Sequence, residues 1–290
     1  MLDMKRISSH SQNFLKDSSF VENLVQKTDI NQNDTIIEIG PGKGIITSQL
    51  SKFSKQVIAI ENDPHLAKTL IQNFENSNNV KIIEYDFLKW NLPNYPYKVF
   101  SNIPFNMTAD IVNKLFSESN SPEISYLIMQ DLAAKRFIGS PIVKDSQISV
   151  LLQPFFKMGI VTDIDRHQYH PVPNVNTVLA SFEKRIKPLI EEKNKQLYRD
   201  FVIYGYNQWR PTVLDSFKDI FSYKQRKTIL KKLNIRDAKP TNLNINQWLS
   251  LFNIFLDYIP TEKKEIIKGA EKRLEKKQKR MKKEYRTRHR

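Results

Sequence analysis

The amino-acid sequence predicts an α/β protein in which a Rossmann-like sheet of mostly parallel strands precedes a smaller all-α domain. Over the first half of the chain, short β-branched runs alternate with apolar positions at helical spacing, the pattern of a doubly wound sheet. Beyond Pro188 only the helical spacing continues. A glycine-rich segment directly follows the first strong strand, which is where such a sheet binds a ligand.

The first region is expected to open with a lead-in and a short helix in residues 1–30, with Phe20, Leu24 and Val25 on one face. Strands and helices then alternate. In chain order we predict strand 35–39, helix 43–53, strand 56–61, helix 64–75, strand 80–85, strand 98–101, a helix around 111–116, strand 125–129, and an antiparallel edge from 149–157 and 177–183.

The second region is predicted to be helical, with proline residues between its helices. The predicted helices are 189–209, 212–220, 223–233 and 245–257. We expect its core to contain the rings of Tyr198, Phe201, Tyr204 and Trp209. The chain is therefore expected to divide into regions 1–187, 188–260 and a basic tail, 261–290.

Charge indicates the class of partner. The 290 residues carry a formal net charge of +15 and the pI is near 9.7, which favours a polyanionic partner. Fourteen Lys and Arg against five Asp and Glu fall in residues 261–290. Two interpretations of this segment are open: a solvated tail without specific contacts, or a clamp for RNA whose contribution falls with salt.

Residue types exclude several chemistries. Without Cys, the chain has no disulfide, no thiolate zinc site and no thiol nucleophile. Among five His, only His167 and His170 lie at ligand spacing, so we expect no metal. The sequence has no apolar leader and no run approaching about eighteen apolar residues. We therefore expect a cytoplasmic protein.

The glycine-rich segment runs from Gly40 to Gly44 with the spacing G-x-G-x-G, instead of the G-x-G-x-x-G of dinucleotide sites. Glu38 precedes it and suits a cationic ammonium group better than a phosphate. Glu61, at the end of the next strand, suits two ribose hydroxyls. The strand after that ends at Asp86 and Phe87, which could bond an adenine amine and cover its face. Acceptors at three successive strand ends fit a nucleoside that carries an amino-acid tail, and S-adenosyl-L-methionine is such a ligand.

A second motif lies where a further strand ends. In Asn102-Ile103-Pro104-Phe105 an amide follows a buried strand, and Pro104 cannot continue a ladder. This group suits a flat heterocycle with an exocyclic amine. The heterocycle can stack on Phe105 while Asn102 and a loop carbonyl accept the hydrogens of the amine.

With Ser11-Gln12-Asn13-Phe14-Leu15, these motifs resemble the rRNA adenine N6-dimethyltransferases, which include the Erm resistance enzymes and the KsgA/Dim1 enzymes. The resemblance extends from about Ser11 to Asp257 and includes the Pro-x-Pro loop at 170–177. Within the superfamily the chain is more similar to the Erm type. The segments that favour it are 101–105, 134–137, 220–225 and 246–248.

The resemblance implies a class I S-adenosyl-L-methionine-dependent methyltransferase, with region 1–187 catalytic and region 188–260 binding rRNA. It implies N6-methylation of a specific adenine in 23S rRNA, giving macrolide, lincosamide and streptogramin B resistance. The expected substrate is protein-free or early-assembly large-subunit RNA, and a monomer is the simplest state. A KsgA/Dim1-like 16S rRNA dimethyltransferase and a non-catalytic RNA-binding relative are the alternatives.

The resemblance also implies individual roles. The catalytic loop is Asn102, Ile103, Pro104 and Phe105, with Asn102 between the cofactor methyl and the target amine. The implied cofactor site is Asn13, Leu15, Gly40, Gly42, Glu61, Asp86, Phe87 and Asn102. Two positions depart from the family: Phe105 replaces the commoner Tyr, and Ala133 stands where several relatives carry an aromatic residue against the target base.

Overall fold

The computed structural model describes residues 13–117 and 120–288. The strands of these residues form a seven-stranded and a two-stranded sheet. In chain order the strands are β1 (Phe14–Leu15), β2 (Thr35–Ile39), β3 (Gln56–Glu61), β4 (Val80–Glu84), β5 (Lys98–Asn102), β6 (Ile124–Gln130), β7 (Phe156–Ile164), β8 (Tyr169–His170) and β9 (Thr177–Lys184).

Helices alternate with strands up to Leu152 and dominate after Lys184. In chain order they are α1 (Ser18–Gln26), α2 (Ile45–Phe53), α3 (Pro64–Asn73), α4 (Thr108–Ser117), α5 (Asp131–Ile138), α6 (Gln147–Leu152), α7 (Lys195–Tyr206), α8 (Val213–Ser216), α9 (Tyr223–Leu233), α10 (Ile245–Tyr258), α11 (Thr261–Ile267) and α12 (Ala270–Arg288).

The large sheet has the strand order β4-β3-β2-β5-β6-β9-β7. Strands β2 to β6 are parallel, whereas β9 and β7 pair antiparallel at one edge. Growth of the sheet reverses between β2 and β5, because β3 and β4 add on one side of β2 and β5 returns to the other. Ligands of open α/β sheets bind at such a switch point, outside the carboxyl ends of the strands. The expected α/β class is confirmed.

Local sequence determines the turns that leave these strands. Asp63 caps α3 by accepting hydrogen bonds from the backbone amides of His65 and Leu66, and Pro64 occupies the first helical turn. Gly44 precedes α2 with a φ of 81°, a backbone conformation that residues other than glycine rarely adopt. Because α3 begins at Pro64, strand β3 ends at Glu61, which lies at the carboxyl-end edge of the sheet.

The chain forms two compact units, and their limits differ from the expected regions. Residues 13–117, 120–135 and 156–185 belong to the first unit, whereas 136–155 join 186–288 in the second. Segment 136–155 joins the helical unit because α6 packs on α7, where the Tyr198 hydroxyl donates to the Val150 carbonyl at 2.9 Å. Residues 261–288 also belong to this unit, as helices α11 and α12.

Two expectations about local structure were wrong. The predicted strand 149–157 is mostly helix α6, because Ser146 and Ser149 form a reciprocal capping box that starts a helix, and the strand begins only at Phe156. Trp209 is 91% exposed, outside the helical core. It follows the end of α7 with a φ of 51°, and that turn directs its ring to solvent. Tyr198, Phe201 and Tyr204 are buried as expected.

The core of the helical unit is aromatic. The ring of Phe201 stacks on Phe217 at a centroid distance of 4.5 Å and meets the edge of Trp248 at 6.2 Å. Gly205 lies one turn further along α7, beside the same rings. Among the residues that the structure describes, no helix is long and apolar enough to cross a membrane.

We predict that Gly205→Ala destabilises the protein. A Cβ there would lie 2.8 Å from the Phe217 ring and 2.9 Å from the Trp248 ring. Overpacking costs roughly 1–3 kcal/mol, partly offset by about 1 kcal/mol of helix propensity. The control is Gly159→Ala in β7, where the nearest atom, the Ser181 hydroxyl, is 3.7 Å away. Denaturant unfolding should show a loss for Gly205→Ala alone; equal stability of the two variants would contradict the prediction.

Candidate active site

The carboxyl ends of four parallel strands open onto one cavity of about 580 Å³, a usual size for a small-molecule site. It lies entirely within the first unit. Its lining includes Asn13, Phe14, Leu15, Gly40, Gly42, Glu61, Asn62, Tyr85, Asp86, Phe87, Asn102, Ile103, Pro104 and Phe105. Except for Glu38, every residue that the sequence assigned to the cofactor or the catalytic loop lines this cavity.

The glycine-rich turn forms one wall through its backbone. Gly40 and Gly42 have φ values of +65° and +59°. A Cβ on Gly42 would lie 2.5 Å from a ring carbon of Phe14, whereas a Cβ on Gly40 would meet no described atom within 4 Å. Glycine is therefore needed at position 42 because β1 crosses the turn closely, and at position 40 the backbone faces open cavity.

Glu61 connects the glycine-rich turn to the end of β3. Its Oε2 accepts the Gly42 backbone N–H at 3.1 Å, and its Oε1 accepts the Asp63 N–H at 2.9 Å. The carboxylate is only 4% exposed but lines the cavity. Because a carboxylate offers about four acceptor positions, Glu61 can still receive hydroxyl donors from a ligand.

Asp86 and Phe87 follow β4 and form the next part of the wall. Asp86 Oδ1 accepts the Leu88 N–H at 2.9 Å, which folds the turn, and its Oδ2 lies 3.3 Å from the ammonium of Lys89. The Phe87 ring is buried, and the Lys114 ammonium lies 5.9 Å from its centroid. An acidic group and an apolar ring are thus side by side in the cavity wall.

Asn102, the last residue of β5, has one half of its amide satisfied and the other half available. Its Nδ2 donates to the Asn13 carbonyl at 3.0 Å. Its Oδ1 is buried and accepts no hydrogen bond from any described residue. A buried acceptor without a donor is costly, so this atom marks the point where a ligand N–H is expected.

The N-terminal segment reaches Asn102 because β1 pairs with β8. Phe14 pairs with His170 and Leu15 with Tyr169, and the Lys16 N–H donates to the Gln168 carbonyl at 3.1 Å. Leu15 is 4% exposed and belongs to the hydrophobic core. Ser11 and Gln12, which contribute to the family resemblance, lie outside the described residues.

The structure gives Glu38 a different position from the one expected. It is 1% exposed, does not line the cavity, and accepts the Thr47 hydroxyl of α2 at 2.6 Å. The pleat of β2 turns successive side chains to opposite faces, so Glu38 points toward α2. The pKa of Glu38 is raised to about 8, mainly by burial and in part by repulsion from Glu61, while the Thr47 hydrogen bond opposes the rise.

Phe14 and Tyr85 are among the cavity residues to which the sequence analysis gave no role. Phe14 was quoted only as part of a motif, yet its ring abuts Gly42, and the Lys43 ammonium lies 5.3 Å from its centroid. Tyr85 directly precedes Asp86 and is 48% exposed at the cavity. Its place at a strand end could have indicated it. In the part of the chain that the structure describes, no cluster of His, Asp and Glu is arranged to hold a metal ion.

This architecture and this cavity define an S-adenosyl-L-methionine-dependent methyltransferase: a mostly parallel sheet with a glycine-rich turn after β2, an acidic residue after β3 and an amide after β5. The comparisons identify the family. The ribosomal RNA adenine dimethylase profile matches residues 4–257. The chain belongs to this family, and S-adenosyl-L-methionine is its methyl donor.

Individual relatives and a solved structure are similar to the chain over most of its length. The chain is 33% identical over 252 residues to an rRNA adenine N-6-methyltransferase of Limosilactobacillus reuteri, covering 87% of this chain and 97% of the relative. It is 29% identical over 258 residues to ribosomal RNA small subunit methyltransferase A of Francisella tularensis, covering 86% and 97%. The crystal structure of 23S rRNA methyltransferase ErmE matches with a TM-score of 0.76 and 25% identity, over 84% of this chain and 100% of that one.

We predict a pH-dependent stabilisation by Glu38→Gln. Because the pKa of Glu38 is raised from 4.5 to about 8, the folded protein holds a proton that the unfolded chain releases between these values. Stability therefore declines as pH rises through this window, by up to about 1.4 kcal/mol per pH unit. The variant lacks this decline, so its advantage over wild type should grow from about pH 5 to about pH 8.

Denaturant unfolding at several pH values measures this advantage. The control is Glu84→Gln at the end of β4, where the same chemical change falls on an exposed side chain. A parallel pH dependence of wild type and Glu38→Gln would refute the raised pKa.

Proposed function

We propose that this enzyme methylates the N6 amine of a specific adenine in 23S rRNA and thereby gives macrolide, lincosamide and streptogramin B resistance. For the chemistry, the decisive observation is the unpartnered Asn102 Oδ1 at the cavity. For the target, support comes from the 33% identity to a named rRNA adenine N-6-methyltransferase and from the match to the whole ErmE chain.

The cavity fits the cofactor. Gly40 offers bare backbone for the methionine part, Glu61 can accept ribose hydroxyls, and Asp86 with Phe87 can hold the adenine. Glu38 lies behind the wall, and we assign it a supporting role through Thr47 and α2. When bound, S-adenosyl-L-methionine supplies an already activated methyl group, so the protein needs no covalent intermediate.

The protein's own task is to make the target amine nucleophilic. The lone pair of an adenine amine is delocalised into the ring. If Asn102 Oδ1 accepts one N–H and a loop carbonyl accepts the other, the nitrogen is favoured in a tetrahedral form with a localised pair. The Pro104 carbonyl already accepts the Met107 N–H at 3.0 Å and the Thr108 hydroxyl at 3.4 Å, which engages both of its lone pairs. We therefore assign the second acceptor to the Ile103 carbonyl.

We assign Phe105 the role of stacking on the target base. It begins the short 3-10 helix Phe105–Met107 at the cavity and is partly exposed. A base that enters this pocket must leave its stack, which costs less in an RNA loop than in a duplex. We therefore propose protein-free or early-assembly large-subunit RNA as the substrate of a monomeric enzyme acting in the cytoplasm.

A second candidate is dimethylation of adjacent adenines in the small subunit. The 29% identity to small subunit methyltransferase A, over 97% of that protein, favours it as a specific alternative. Both activities use the same atoms around Asn102, so the cavity does not distinguish them. A non-catalytic RNA-binding relative would have no need of the free Asn102 acceptor.

We predict that Asn102→Ala lowers turnover at least about 100-fold with a smaller change in cofactor affinity. The matched variant is Asn102→Asp, which keeps an acceptor but loses the donor to the Asn13 carbonyl. It should retain more activity than Asn102→Ala. Single-turnover methyl transfer and calorimetric cofactor titration separate the two effects. Near wild-type turnover in Asn102→Ala would exclude the proposed role.

The target is tested by transfer of labelled methyl groups to protein-free 23S rRNA and, separately, to immature small subunits. Primer extension then maps the modified base. We expect one labelled adenine in the peptidyl-transferase region of 23S rRNA. Label confined to the small subunit would replace the proposal by the second candidate.

A further inference from the structure

The chain continues beyond the part that it shares with its family. The family match ends at residue 257, and ErmE is covered completely by 84% of this chain. Helices α11 and α12 follow in the second unit. Within residues 270–290 there are eleven Lys and Arg and three Glu, so this extension concentrates positive charge.

Helix α12 is anchored to the helical unit at its first turn. Asp200 on α7 is 3% exposed, and its carboxylate accepts the backbone N–H groups of Gly269 at 2.8 Å and Glu271 at 2.9 Å. These are N–H groups that a helix start leaves without internal partners. A buried carboxylate on α7 thus serves as the cap of α12, so the position of α12 is tied to the core.

A charged pair reinforces this anchor. The Arg199 guanidinium of α7 donates from Nε to Glu271 Oε2 at 3.0 Å and also pairs through its terminal nitrogen. The two side chains are 11% and 17% exposed. Burial alone would raise the pKa of Glu271. The hydrogen bond and the charge of Arg199 outweigh this effect and hold the pKa below its ordinary value. Neither member of the pair is available to a ligand in solution.

Beyond the anchor the helix presents cations to solvent. Lys272, Lys276, Lys277 and Lys279 are all exposed. Lys272, Lys276 and Lys279 follow helical spacing and form one stripe. Arg273 instead donates to the carbonyls of Ile266 and Lys268 and closes the turn between α11 and α12. The start of α12 is thus docked on α7, and exposed lysines follow along the described part of the helix.

We propose that α12 is a docked arm that binds the phosphate backbone of ribosomal RNA without reading its sequence. Lysines at successive turns match a polyanion, and phosphate contacts supply affinity that falls steeply with salt. The proposal rests on the proposed function only in taking ribosomal RNA, of either subunit, as the partner. The arm lies outside the residues that match the family, so it adds a binding surface to that region.

The first test removes three charges from the arm and three from elsewhere. The arm variant is Lys272→Gln, Lys276→Gln and Lys279→Gln, the three lysines of the stripe. The control is Lys55→Gln, Lys68→Gln and Lys81→Gln. All three lysines are exposed: Lys68 lies on α3, and Lys55 and Lys81 lie near the amino ends of β3 and β4, at the opposite edge of the sheet from the cavity. RNA affinity is measured over a range of salt concentrations. We expect the arm variant to flatten the slope of log K against log salt by roughly 2 to 3 units, with turnover at saturating RNA unchanged.

A second test separates docking from charge. Arg199→Ala with Glu271→Ala removes one cation and one anion, so the net charge is unchanged. If docking of the arm contributes to binding, this variant should bind RNA roughly two- to tenfold more weakly than wild type. The reason is that α12, once released, must be ordered when it binds. Wild-type affinity in this double variant, or equal slopes in the two lysine triples, would overturn the proposal. Failure of the proposed function would be seen separately, as absence of methyl transfer to 23S rRNA by the wild type.

Discussion

The candidate site depends on parallel strands that end together at a switch point of the sheet. Strands β2, β3, β4 and β5 each contribute residues at their carboxyl ends, and only a parallel arrangement brings these ends to one edge. The glycine-rich turn, Glu61, Asp86 and Asn102 are separated by tens of residues in the chain. Their proximity therefore follows from the strand order, and a register shift in any one strand would move its residue away from the others.

A second constraint comes from outside the large sheet. The amide of Asn102 could rotate and present either its oxygen or its nitrogen, and these differ as acceptor and donor. The bond from Nδ2 to the Asn13 carbonyl selects the rotamer with Oδ1 free. Asn13 is held there by the pairing of β1 with β8, so a two-residue strand sets which atom of the Asn102 amide faces the cavity.

Much of the first unit was predictable, because its strands are β-branched runs that end in recognisable turns. Strand 35–39 and the cavity residues from Gly40 to Phe105 are examples. Glu38 was misplaced, since sequence spacing does not show which face of β2 points to the cavity. Segment 136–155 was assigned to the wrong unit because its partner, α7, lies some fifty residues later. Trp209 was taken as core because an aromatic ring gives no sign of the turn that exposes it.

The charge of α12 is not explained by folding. A helix with many neighbouring lysines is opposed by like-charge repulsion along its own surface, and short helices gain most of their stability from packing. In the described part of α12, the contacts with α7 that these bonds make lie at the first turn, where Asp200 caps the helix and Arg199 pairs with Glu271. The exposed lysines beyond that turn therefore oppose helix formation while contributing little to packing. A polyanionic partner relieves this repulsion, and RNA is the polyanion on which the family acts.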